Sequence, residues 1–153
     1  MHRYEARVAW KRGEQTFTDN KYSRAHQWSF DGGLSVQASS SPLVVRLPFS
    51  DPAAVDPEEA LVASASSCHM LWFLSLAAKR GFVIDSYADA AVGVVDRNAE
   101  GRIAVTRITL RPAIAWSGGR APAADELAQL HHEAHENCYI ANSLRAEIVV
   151  EAA

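Results

Sequence analysis

Residues 3–10 alternate, with Tyr4, Ala6, Val8 and Trp10 on one face, and a period of two predicts a strand. Residues 14–19 read as a second, returning strand. Asp31-Gly32-Gly33 forms a turn, after which Leu34, Val36 and Ala38 alternate again. Residues 39–55 carry Pro42, Pro48 and Pro52 among several serines, so the pattern predicts an irregular excursion.

The pattern then changes to a helix. Asp56 is suited to cap it, Pro57 to open it, and Glu59 lies three residues after the cap, as in a capping box. No breaker follows until Gly81, behind Lys79-Arg80. The spacing predicts a helix over 57–80, about 24 residues and ~36 Å long. Leu61, Ala65, Cys68, Leu71, Trp72 and Leu74 wrap much of its circumference, which predicts a buried helix. Residues 82–96 and 102–116 read as a β-hairpin around Asn98-Ala99-Glu100-Gly101, with Val92, Val94, Ile103, Val105, Ile108 and Leu110 supplying the strand pattern. Pro122 opens a second helix running to about Asn137, and residues 146–151 close the chain as a strand. Strands, helix, hairpin, helix, strand is an α+β order with helices packed on antiparallel sheet.

Length and composition narrow the class. A chain of 153 residues predicts a single domain over 1–153 with a core that needs no disulfide staples. It is 48% hydrophobic and 22% charged, as soluble globular proteins are. A formal net charge of −3 and a pI of about 6.0 give no basic footprint for nucleic acid. The N-terminus, Met1-His2-Arg3-Tyr4-Glu5-Ala6-Arg7, has no apolar run behind its charges and does not read as a secretory signal. The most apolar stretch, Met70–Ala78, falls short of the roughly 20 residues of a membrane span. The expectation is a cytoplasmic protein with no membrane partner. In that compartment Cys68 and Cys138 are not expected to form a permanent structural disulfide. They are inert buried thiols or chemically used ones.

Each candidate has a plain structural reading beside a chemical one. Cys68, in Ser64-Ala65-Ser66-Ser67-Cys68-His69-Met70, is by itself a small buried hydrophobe. The small residues before it permit close approach of another segment or a substrate. A cysteine in mid-helix gains little from the helix dipole, so a reactive thiolate there needs a cation from elsewhere. Cys138 follows the second helix and alone reads as packing, or as a disulfide partner at a helix end. His131, His135 and Cys138 share one face if the helix continues through them, which is a ligand spacing for a metal. The plain reading of that face is solvated, and His132-Glu133-Ala134-His135 is one residue too short for a zinc-protease motif. Arg24 reads as a surface arginine, and Glu58 as an acid favoured in a helix's first turn.

Two segments together point further. Asp56-Pro57-Glu58-Glu59-Ala60-Leu61, with Cys68 ten residues after Glu58, resembles the Asn-Pro-Glu-x-Leu…Cys signature of the OsmC/Ohr family, the osmotically inducible and organic hydroperoxide resistance proteins. Asn137-Cys138-Tyr139-Ile140-Ala141-Asn142-Ser143-Leu144 resembles that family's second-cysteine segment, and Arg24 followed by Asp31-Gly32-Gly33 is similar to the arginine segment of its Ohr branch. Asp56 in place of Asn, and an Arg24 without flanking glycines, depart from the pattern. The resemblance implies a fold of antiparallel sheets around a long central helix, assembled as an intertwined homodimer. It implies that Cys68 is the peroxidatic thiol, Cys138 the resolving thiol, Glu58 the glutamate that holds the active-site arginine, and Arg24 that arginine, with Arg46 as the rival of the OsmC branch. No cofactor is implied. The partners would be an organic hydroperoxide and an external dithiol reductant of the lipoyl type. Two other classes stay open: a non-catalytic or small-ligand-binding protein on the same fold, and a metal protein using His131, His135 and Cys138. An unbroken helix also places Glu58 and Cys68 ~15 Å apart along its axis, so the expected site draws on both chains of the dimer.

Overall fold

The structure, a computed structural model, describes residues 1–151. It divides into two compact units, Met1–Ala60 and Leu61–Ala153.

In the first unit, β1 (Ala6–Ala9), β2 (His26–Phe30) and β3 (Ser35–Ala38) form an antiparallel sheet in that order. Strand β1 lies within the expected 3–10 segment, but all four of its residues are exposed. Residues 14–19 are not a strand. Positive φ at Gly13 and Asn20 folds the segment into a loop. Phe17 stacks on Tyr22 (4.8 Å between centroids), and Trp10 packs on both rings, so burial of aromatic surface replaces strand pairing. Residues 39–55 are irregular as expected.

Helix α1 spans Pro57–Lys79. Its capping box is formed: the Glu59 amide donates to Asp56 Oδ1 at 2.8 Å and the Asp56 amide to Glu59 Oε2 at 3.3 Å. Gly81, with φ of 77°, turns the chain away after the last turn. An 18-residue window of α1 has a mean hydropathy of 1.5, long and apolar enough by composition to cross a membrane. The apolar length is therefore greater than the Met70–Ala78 run. Its buried residues, however, are Ala65, His69, Phe73 and Ala77, one per turn on a single stripe. That stripe is the seam of a core helix, and the other faces are less covered than the sequence led one to expect.

The expected hairpin of the second unit exists but is split into two ladders. Its inner part pairs β5 (Val92–Arg97) with β6 (Ile103–Leu110), and its outer part pairs β4 (Val83–Asp89) with β7 (Pro112–Ser117). The break has a cause. The Arg111 amide donates to the Asp89 carboxylate at 2.6 Å rather than to a strand carbonyl, and Pro112 carries no amide hydrogen. Helix α2 runs over Ala124–Asn137, starting two residues after Pro122, and a short α3 follows over Tyr139–Ser143. The closing strand β8 (Glu147–Val150) pairs with β6 in parallel, so this sheet, in the order β5-β6-β8, is mixed rather than wholly antiparallel. The helices α2 and α3 supply the crossover that a parallel pair requires. One core cluster gathers Phe73, Ala77, Phe82, Leu130 and Ala134, and a second gathers Ala65, Ile108 and Leu110.

Candidate active site

Cys68 lies midway along α1, where the i, i+4 stripe leaves it half-buried. Cys138 lies in the joint between α2 and α3 and is 1% exposed. Its φ of −70° and ψ of 109° are extended, so α2 stops at Asn137. Its amide still reaches back to the His135 carbonyl at 3.1 Å, and its Sγ accepts the Ala141 amide at 3.3 Å as the N-cap of α3. The chain thus folds so that a sulfur replaces the usual capping oxygen. Both cysteines are free thiols, and they are near enough for each to influence the other. Burial, with help from the neighbouring Cys68 thiol, pushes the Cys138 thiol up to about 11. Two thiols seventy residues apart in sequence are thus neighbours in the fold. Trp72, one turn past Cys68, meets Tyr139 edge-on with ring centroids 5.9 Å apart, so aromatic surface joins the two cysteine segments.

Beneath Cys68 is a polar group that sequence reasoning missed. His69 Nε2 and His131 Nδ1 lie 3.0 Å apart, both residues buried, with ring planes 10° from parallel. His69 is held down to about 4, first by burial and then by the neighbouring His131 and His135. His131 is lowered too, by burial. Nearby, Ser66 donates to Asp89 Oδ2 at 2.5 Å. Burial, and then the Asp89 charge, raises the Tyr87 phenol. A cavity of about 340 Å³ lies beyond His131, lined also by Ala128, His132, His135, Ile148 and Val150, and neither cysteine lines it.

The other expected residues lie in the first unit. The Arg24 guanidinium donates to the Asn20 carbonyl at 3.0 Å, to Asn20 Oδ1 at 2.6 Å and to the Tyr22 carbonyl, and it lies over the Tyr22 ring at 3.8 Å. Arg46 lies 5.9 Å from the centroid of Phe49. Glu58 is half-buried in the first turn of α1 and joins no ion pair among the described residues. The metal reading fails on geometry. It needed one helical face through His131, His135 and Cys138, but the helix ends at Asn137, His131 turns to His69, and Cys138 Sγ caps α3 by accepting the Ala141 amide. Among the described residues no three His, Cys, Asp or Glu side chains converge on a metal position.

The family model for OsmC-like proteins matches residues 50–153. The chain belongs to the OsmC family. No curated protein matches it. Among solved structures, an OsmC-like protein of unknown function from Vibrio cholerae is 52% identical over 100% of both chains, with a TM-score of 0.97. An organic hydroperoxide resistance protein from Elizabethkingia anophelis is 16% identical, covers 99% of this OsmC-family chain and 94% of its own, and has a TM-score of 0.71. The protein OhrB of Bacillus subtilis, also an organic hydroperoxide resistance protein, is 14% identical over 99% and 98% of the two chains, with a TM-score of 0.68. The last two likenesses are of fold.

Proposed function

We propose that this OsmC-family protein is a thiol peroxidase that reduces organic hydroperoxides to alcohols. The observation that carries the reading is the proximity of two free thiols, one half-buried and one buried. In the reaction the Cys68 thiolate attacks the peroxide; an S–O bond forms and the O–O bond breaks. The alkoxide takes up a proton and leaves as the alcohol, and Cys68 is left as a sulfenic acid. Cys138 then condenses with it: the S–S bond forms, the S–O bond breaks, and water departs with the Cys138 proton. An external dithiol returns the pair to thiols, and a lipoyl-bearing protein is the reductant class we favour. The cytoplasm, where thiols are kept reduced, suits such a cycle.

Thiolate at Cys68 needs a cation, and we assign that role to Arg24, with Arg46 as the alternative, held by Glu58 in a bidentate pair. Arg24 would first have to leave Asn20 and Tyr22, whereas the Arg46 side chain makes no hydrogen bond among the described residues. Ten helical residues between Glu58 and Cys68 amount to ~15 Å of rise, which favours a homodimer whose partner supplies the glutamate. The 61% exposure of Leu71, on the α1 turn after Cys68, fits a helix that needs a second copy for cover. The leading test is mass spectrometry after one equivalent of cumene hydroperoxide. The expected product is a single Cys68–Cys138 disulfide; an unmodified Cys68 overturns the reading. Mixed Cys68→Ser and Glu58→Ala subunits should regain activity if the site is shared, and a fully active monomer in sedimentation would refute sharing.

A further inference from the structure

We infer that the buried His69–His131 hydrogen bond is the strut that holds α1 in register with α2 and so sets the approach of Cys68 to Cys138. His69 directly follows Cys68 on α1. His131 stands two turns before Cys138, the residue that ends α2. The 3.0 Å bond between the rings is thus a cross-link between the two helices that carry the thiols, anchored one residue from one sulfur and seven from the other.

The surroundings explain why a polar link is needed there. Along the buried stripe of α1, Ala65 belongs to one apolar cluster, and Phe73 and Ala77 belong to the other. His69 lies at the seam between them. Apolar packing is non-directional, and ridges one turn apart offer similar grooves. A hydrogen bond between buried groups has one satisfying geometry, and fixing register is the best-attested use of such a pair. The fold keeps this bond although His69 Nδ1 and His131 Nε2 have no partner, which is costly for a core. Phe73 lies against the His131 ring, 4.4 Å between centroids, and limits its rotation. With the strut in place, Ala134, fully buried one turn before Cys138, leaves room for the helices to close. These are positioning residues: they act on disulfide closure through the helices and touch neither peroxide nor sulfur in the reaction.

The inference rests on the proposed thiol pair, but its test does not need peroxidase activity. The variants are His69→Leu/His131→Leu, which removes the bond and fills the seam, His131→Phe as a second apolar change, and His69→Gln, which keeps a side chain able to bond. Circular dichroism selects the variants that retain the fold. In dithiothreitol redox buffers, with thiol trapping, the closure constant of the Cys68–Cys138 disulfide should fall about tenfold or more in the apolar variants. It should recover to within about threefold of the unaltered protein in His69→Gln, since a bonding side chain restores the position. In single turnover with cumene hydroperoxide, oxidation of Cys68 should change less than closure does. Closure unaltered in a folded apolar variant overturns the inference, and so does an equal loss of both steps. If cumene hydroperoxide leaves Cys68 unmodified in the unaltered protein, the peroxidase reading falls, and the redox-buffer result still decides the strut.

Discussion

The two thiols are neighbours, yet their settings differ. Cys68 lies half-buried in the middle of a 23-residue helix, next to a seam of buried imidazoles. Cys138 is buried at a helix joint, its sulfur taken by the Ala141 amide and its proton held by burial. Cys68 keeps partial access to solvent, whereas Cys138 is 1% exposed. That division suits a pair in which one sulfur meets a substrate and the other meets only the first sulfur.

The largest expected effect tests this division of labour. Cys68→Ser should abolish hydroperoxide reduction. Cys138→Ser should still consume one equivalent of peroxide and then stop with Cys68 as the sulfenic acid. Peroxide consumed per chain, counted against added enzyme, distinguishes the two. Full turnover in Cys138→Ser would remove the asymmetry.

How far the sequence carried can be judged at these same two places. The helix bearing Cys68 was legible because local chemistry writes its ends: Asp56 and Glu59 bond each other's amides, and Gly81 takes positive φ. The joint bearing Cys138 was not, since α3 is one turn held by a sulfur cap, a device without a propensity signal. The His69–His131 pair lies 62 residues apart, and no periodicity links two such positions. The expected hairpin held, but a side-chain acceptor at Asp89 divided it, and the parallel strand β8 came from a crossover that alternation does not reveal. The two-cysteine pairing was readable by resemblance alone, and the fold makes the two thiols neighbours.

The two settings should also fail at opposite ends of the pH scale. His69 has a folded value of about 4 against 6.5 in an open chain. Between these values the unfolded chain binds a proton that the fold refuses. Stability is therefore full above pH 6.5 and falls as pH drops towards 4, by ~3 kcal/mol for this group alone. His131 is lowered in the same direction and adds to the loss. Urea midpoints measured from pH 7.5 to 4.5 check this, and the slope should shrink in His69→Leu/His131→Leu. A wild-type midpoint flat across that range would break the contrast.

Alkylation rates sharpen it further. A thiol held up to about 11 is thiolate in roughly one molecule in a thousand at pH 8. Cys138 should therefore react with iodoacetamide about tenfold or more slowly than Cys68, which is also the more exposed. Peptide mapping after timed quenching gives both rates from one sample. Its rate should climb steeply towards pH 10, and equal rates at pH 8 would mean that the joint opens readily.

The smallest effect separates the stability of α1 from the state of the joint. Asp56 Oδ1 accepts the Glu59 amide, and removing an N-cap of this kind costs about 1 kcal/mol. Asp56→Ala should lower stability by that amount, while the residue-56 amide stays able to donate to Glu59 Oε2. Cys138 lies in the other compact unit, at a joint fixed by Ala141 and His135, so its alkylation rate should change less than twofold if only the first turn of α1 frays. Parallel urea titration and peptide mapping of Asp56→Ala measure the two quantities together. A stability loss of that size with a quickened Cys138 would mean that the start of α1 and the joint unfold as one cooperative unit, and that the buried thiol depends on the whole helix rather than on its own cap.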